Sequence, residues 1–466
     1  MNKLILSILF TFVLLAYVII DIVYNDEIWD ASKQLAISMQ QTTPFFERLV
    51  YEFFTYIVFI PPIAAFYCFV YDNNKLNSLL YLSVVVVSVT TNEILKNIYH
   101  QARPYMIEPD IKSLKCNSDY GKPSGHSQNS MVMLILMPAI LFPSLKQLQR
   151  QKVQVEFQEQ FENSGNFTGY TIPNLENSDL GNSKLQDSKN VQSKCKIVMK
   201  LILIIFILLS IVMTGLSRIF LGVHSIGQVL LGWVWGLYIT LMYIFIIHSS
   251  LRDYIIRQLT PKKSGLEQMN HFIPISFLML LALLGLSIGL LKLNSLVYYD
   301  DLEMDKWIQR INECQSTNYT RVSPQILYNS CLQFTGIGAM ITGLLVGAVL
   351  VQGTYEEGLF NKWKSKIPMQ QQMKRILLLL LPFLFLIPFL FIASNNVIIE
   401  FTCKIVPLSF GAGFIINGVY PYLLRRFNLQ IPGDFLFLYK RRSFQNDQSY
   451  DSLQKHMLSE TQQNDL

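Results

Sequence analysis

Lys122-Pro123-Ser124-Gly125-His126 stands directly before an apolar run at about 127–145, and two other short motifs occupy comparable boundaries. Upstream, Lys96 is followed after six residues by Arg103-Pro104. Downstream, Ser217-Arg218 is followed after five residues by His224. The three motifs are far apart in the chain, yet each lies at the edge of a stretch long enough to cross a bilayer. If the stretches are membrane helices, all three motifs meet at one depth.

Composition makes that reading the natural one. Of 466 residues, 51% are hydrophobic and only 15% charged, too little polar surface to wrap a soluble globule of this size. Apolar runs fall at 4–22 and at about 49–71, 78–98, 127–145, 197–217, 225–247, 272–291, 333–352, 376–393 and 403–424, each near the twenty residues a spanning helix needs. The expected fold is therefore an all-α polytopic membrane helix bundle of nine or ten transmembrane helices. Residues 1–23 read as a signal anchor or an extra transmembrane helix, with retention favoured because no small-residue cleavage site follows. Asn25 to Thr43 alternates apolar and polar residues, as an interfacial helix does.

Loop charges set the orientation. Lys146, Arg150, Lys152, Lys194 and Lys196 flank one loop; Arg252, Arg257, Lys262 and Lys263 fill the next alternate one; Lys362, Lys364, Lys366, Lys374 and Arg375 the next. Arg425, Arg426, Lys440, Arg441 and Arg442 place the tail on the same side. The positive-inside rule makes that side cytoplasmic, so loops 99–124, 218–224 and 293–332, and with them all three motifs, face the lumen or the cell exterior. The net charge of +6 is explained by this topology, and nucleic-acid binding is set aside.

Residues 146–195, rich in Gln, Asn, Ser and Lys, read as a disordered cytoplasmic insert, and 426–466 as a flexible cytoplasmic tail. The Asn318-Tyr319-Thr320 sequon falls in a lumenal loop, the Asn166-Phe167-Thr168 sequon in the insert. Six cysteines show no metal-ligand spacing; Cys314 and Cys331 share a lumenal loop, where a disulfide and two free thiols are both open, and nothing marks Cys116 as reactive.

The motif residues suit phosphoryl chemistry. Such transfer needs positive charge and hydrogen-bond donors around three oxygens, an in-line nucleophile and an acid for the leaving group. Pro104 turns the chain out of its span beside Arg103, with Lys96 close to the same membrane surface. Pro123 suits a helix start, which leaves the free N–H groups around Ser124 and Gly125 to hold an anion. Two histidines, His126 and His224, supply a nucleophile and an acid without a metal. His100, His248 and His271 read as ordinary interfacial histidines, while Tyr105 and Lys122 could reach substrate or equally pack away from it.

These residues resemble the signature of the type 2 phosphatidic acid phosphatase (PAP2) superfamily, Lys-x6-Arg-Pro, Pro-Ser-Gly-His and Ser-Arg-x5-His-x3-Asp. The resemblance implies a six-helix catalytic core, covering about residues 78–240 within a phosphatase domain at 24–425. It implies His224 as nucleophile, His126 as general acid, and Lys96, Arg103, Ser124, Gly125 and Arg218 as phosphate ligands, with no cofactor and no metal. Where the signature has aspartate, this chain has Gln228, which either orients His224 or merely packs. The glucose-6-phosphatase branch is similar in carrying glutamine there, in nine spans and in the Leu216-Ser217-Arg218-Ile219 context. That finer resemblance implies glucose 6-phosphate or a related sugar phosphate as substrate, an endoplasmic reticulum membrane location with a lumenal site and cytoplasmic C-terminus, membrane lipids as surroundings and a sugar-phosphate transporter as candidate partner. The first apolar segment, the insert and a tail without a dilysine signal depart from that branch. A lipid phosphate phosphatase acting on phosphatidate, sphingosine 1-phosphate or dolichyl diphosphate is the alternative, and a catalytically silent scaffold the third reading.

Overall fold

The computed structural model describes residues 3–71, 75–141, 182–259, 265–297, 302–316, 336–352, 368–392, 394 and 396–429. The described chain is 86% helical, with no strand. Helix α1 (Lys3–Val23) leads into α2 (Asn25–Thr42), then α3 (Phe45–Ile57), α4 (Ile60–Tyr71), α5 (Lys75–Tyr99) and a single turn, α6 (Pro104–Ile107). After a loop come α7 (Gly125–Leu141), α8 (Asn182–Phe220), α9 (Ile226–Met242), α10 (His248–Leu259) and α11 (Gly265–Val297). The remainder comprises α12 (Leu302–Gln315), α13 (Gly338–Gln352), α14 (Met369–Leu380) and a last span that includes α15 (Val406–Phe414).

Among the described residues, seven helical segments are long and apolar enough to cross a membrane, which makes the chain a multi-pass membrane protein. The run expected as one straight span at 49–71 is instead α3 and α4, bent by 40° at a break around Val58 and Phe59, and counts as an eighth span if the pair crosses together. The runs at 127–145 and 333–352 appear as the shorter helices α7 and α13. Helix α8 begins at Asn182, so the last part of the stretch expected to be disordered is helical. The rest of that insert, the tail beyond Leu429, Cys331 and the Asn318 sequon lie outside the described residues.

Outward faces are apolar, as lipid contact requires: Leu4, Ile8 and Phe12 of α1 and Ile202, Ile205 and Leu209 of α8 are exposed. Helices α13 and α15 approach closely through glycine, since a Cβ on Gly343 would fall 2.0 Å from the Phe410 carbonyl oxygen. Near the motifs, α12 is amphipathic. Met304, Trp307, Ile308 and Ile311, at helical spacing, are buried with Ala102, Tyr105, Met106, Ile111 and Tyr120 of the loop after α5. That packing roofs the end of the bundle where the motifs emerge, and the Cys116–Cys314 disulfide locks it. Cys314 thus pairs with Cys116, not with Cys331 of its own loop; their 198-residue separation is invisible to local spacing.

Candidate active site

Each motif is placed by a simple local device. Lys96 lies in the last turn of α5. Arg103 adopts an extended backbone (φ −82°, ψ 152°) because Pro104, the first residue of α6, excludes helix before it. Ser124 and Gly125 open α7, and the Ser124 N–H, expected from sequence to be free for an anion, instead donates to the Gln228 carbonyl at 2.9 Å, joining the α7 start to α9. Arg218 ends α8, and a tight turn through Gly222 (φ +72°) returns the chain to His224. Only glycine fits at that turn, since a Cβ would lie 2.6 Å from the Lys112 carbonyl. Ser225 then caps α9 in a reciprocal box: its hydroxyl accepts from the Gln228 N–H, and Gln228 Oε1 accepts from the Ser225 N–H, each at 3.2 Å.

These devices bring the expected residues together. Arg103 Nη1 sits 3.0 Å from His224 Nε2 and donates to the Val223 carbonyl at 2.9 Å. A Cβ on Gly125 would come within 2.8 Å of Asn92 Oδ1 and 3.9 Å of Lys96 Nζ, so Gly125 lets the α7 start approach α5. Arg218, Lys96 and Arg103 all act electrostatically on both His126 and His224. Ser124, Arg103, Arg218 and His224 are at most 2% exposed, whereas His126 is half-buried at the mouth with its ring edge-on to Phe59, centroids 5.9 Å apart. Ser124 Oγ accepts from the Ser127 hydroxyl at 3.0 Å. Lys122 turns out of this cluster, towards α1.

Gln228 holds His224 directly. Its Nε2 donates to the Ala102 carbonyl at 2.8 Å and to Gln101 Oε1 at 3.1 Å, which fixes the amide so that Oε1 faces His224 Nδ1 at 3.2 Å. The Gly121 carbonyl lies closer still to Nδ1, at 2.9 Å. Two acceptors place the proton on Nδ1, so the lone pair is on Nε2, where it accepts from Arg103 Nη1 at 3.0 Å.

Asp119 is the residue that sequence reasoning missed. Its two oxygens bridge Lys96 Nζ and Arg103 Nη2, each at 2.5 Å, and its carbonyl accepts from Arg103 Nε at 2.8 Å. Although burial disfavours its charge, Arg103 and Lys96 together hold the Asp119 carboxyl well below the usual carboxylate range. The available signal was a carboxylate in the loop between motifs, where three buried cations need counter-charge. Glu93 is a second one, 2.8 Å from Lys96. Arg218 differs from these paired cations. It is 1% exposed, and neither its Nε nor its Nη1 has a hydrogen-bond partner among the described residues. Burial, then Arg103, Arg218 and Lys96, push the His224 imidazole well below its ordinary range, against an opposing effect of Asp119.

Fold and site together define a polytopic membrane protein with a cluster of buried cations beside two histidines. Residues 77–252, which carry all three motifs, match the family model of the PAP2 superfamily, whose members are phosphatases. No curated protein and no solved structure shows a significant match to the chain.

Proposed function

We propose that this protein is a membrane-embedded phosphomonoesterase that works through a phosphohistidine on His224. The observation that carries the reading is the buried Arg218 guanidinium, with two donors unpartnered beside two histidines. A buried cation of that kind is costly unless an anion completes it, and a phosphoryl group accepts the fork of donors well. Lys96, Arg103, the Ser124 hydroxyl and the Gly125 N–H supply the remaining contacts. His224 Nε2 attacks phosphorus, the ester P–O bond breaks, and His126 protonates the departing alkoxide. His126 then takes a proton from water, which attacks the phosphohistidine and frees inorganic phosphate.

A sugar phosphate, glucose 6-phosphate first, is the favoured substrate on the strength of the sequence resemblance and of Gln228. A site facing the lumen of the endoplasmic reticulum accords with the loop charges, and the Cys116–Cys314 disulfide accords with an oxidising compartment on the side of the motifs. One observation favours a lipid phosphate instead. Phe59 packs against His126 at the break between α3 and α4, and Tyr56, Phe59, Ile60 and Ile63 around that break are exposed. An apolar chain could leave the site there. The deciding assay is phosphate release, with a chelator present, from glucose 6-phosphate, phosphatidate and sphingosine 1-phosphate by membranes holding the wild type or His224→Ala. Release from the sugar ester, lost in the variant, supports the favoured reading; release from lipids alone replaces the substrate; no release from any overturns the proposal.

A further inference from the structure

Helix α1 lies outside the segment that matches the PAP2 superfamily, and most of its side chains face outward. Leu14 and Asp21 are the buried exceptions, and Asp21 is the polar one. It is 1% exposed near the end of that apolar helix, 2.7 Å from Nζ of Lys122, which is itself 6% exposed. The contact is ionic, since neither Asp21 oxygen makes a well-angled hydrogen bond among the described residues. A carboxylate and an ammonium buried at a membrane helix end are retained only when paired, and such pairs mark function more often than stability. Lys122 is the residue directly before Pro123-Ser124-Gly125, yet its ammonium points away from the phosphate ligands, towards Asp21, Asn25 Oδ1 at 3.4 Å and the face of Tyr99 at 5.7 Å.

The contacts continue from there to the nucleophile. Asn25 Oδ1 also accepts from Gln101 Nε2 at 3.1 Å, Gln101 Oε1 accepts from Gln228 Nε2 at 3.1 Å, and Gln228 Oε1 faces His224 Nδ1. One polar chain therefore runs from the α1–α2 junction to both the start of α7 and the candidate nucleophile. Helix α1 also lies close against α9, where a Cβ on Gly227 would stand 3.5 Å from Asp21 Oδ1.

We infer that Asp21, through Lys122, is a positioning residue for the phosphate-binding start of α7 and for His224, and that α1 is a working part of the site. The inference rests on the phosphate reading above. Two readouts separate them: affinity of the purified full chain for inorganic phosphate, read as a phosphate-dependent shift in melting temperature and needing no turnover, and kcat on whichever ester is hydrolysed.

Asp21→Asn and Lys122→Met should each weaken phosphate binding and lower kcat by about tenfold. The double variant, free of buried charge, should melt near the wild type but lose no more than the worse single, because both act through one contact. The exchanged pair, Asp21→Lys with Lys122→Asp, should recover part of the loss. Wild-type phosphate affinity in a folded double variant, or losses that multiply, would overturn the inference. A single variant that fails to accumulate leaves the double variant to decide. If the wild type binds phosphate but hydrolyses no ester, the proposed reaction fails while phosphate affinity still decides the role of Asp21. If it binds no phosphate, both readings fall.

Discussion

The Nδ1 atom of His224 lies 2.9 Å from the Gly121 carbonyl oxygen, closer than its 3.2 Å to Gln228 Oε1. A backbone acceptor thus shares the contact to Nδ1 with Gln228, whose amide serves other contacts as well. Its amide donors tie α9 to Gln101 and Ala102, contacts an aspartate could not make.

Gln228→Ala should therefore lower kcat by only about tenfold, the effect of one hydrogen bond. His224→Ala should abolish turnover. Gly121→Ala should harm more than Gln228→Ala, because its Cβ would meet the Gln228 amide at 2.6–2.8 Å and displace both acceptors at once. Steady-state kinetics of the three variants check this order.

Arg218 presents a planar fork, so retaining charge alone should not suffice. Arg218→Lys should lose about 100-fold or more in kcat/KM and resemble Arg218→Ala more than the wild type. Near-wild-type kinetics in the lysine variant would remove the guanidinium from the phosphate site.

Asp119 should govern the acid side of the pH profile. The attacking imidazole must be neutral, and burial with three cations depresses its pKa, so the acid limb of kcat/KM lies below the ordinary value of about 6.5. Asp119 opposes that depression. Asp119→Asn should then move the limb further to acid while lowering kcat about tenfold, as Lys96 and Arg103 lose their bridge. Profiles of variant and wild type on the same substrate check the shift, since substrate ionisation cancels between them.

The Cys116–Cys314 bond ties α12 to the loop that carries Asp119. Replacing both cysteines with serine should cost about 3–5 kcal/mol of stability. The measurement is the melting temperature of the solubilised protein, and phosphate should protect the disulfide-free variant less than the wild type.

Much of the site was legible because its chemistry is concentrated at helix ends. Lys96, Arg103, Ser124, Gly125, His126, Arg218 and His224 sit at motif positions whose boundaries hydrophobic length and proline placement reveal. Orienting and packing could not be separated for Gln228, because the glutamine contacts His224 and closes the capping box with Ser225. What escaped reading depends on contacts between distant segments. Asp119, Gly121, the Cys116–Cys314 pairing and the Asp21–Lys122 pair have no local periodicity or spacing to announce them. The break at Val58 and Phe59 was hidden for a different reason, since an apolar run has the same composition whether straight or bent.

The most direct test of the central claim is to trap the enzyme intermediate. Solubilised protein is mixed with an ester carrying radiolabelled phosphate, in the presence of a chelator, and denatured in alkali. A label that resists alkali, is lost in mild acid and is missing in His224→Ala is the predicted result. A wild type that hydrolyses the ester without ever carrying label, or label that persists in His224→Ala, would contradict the account.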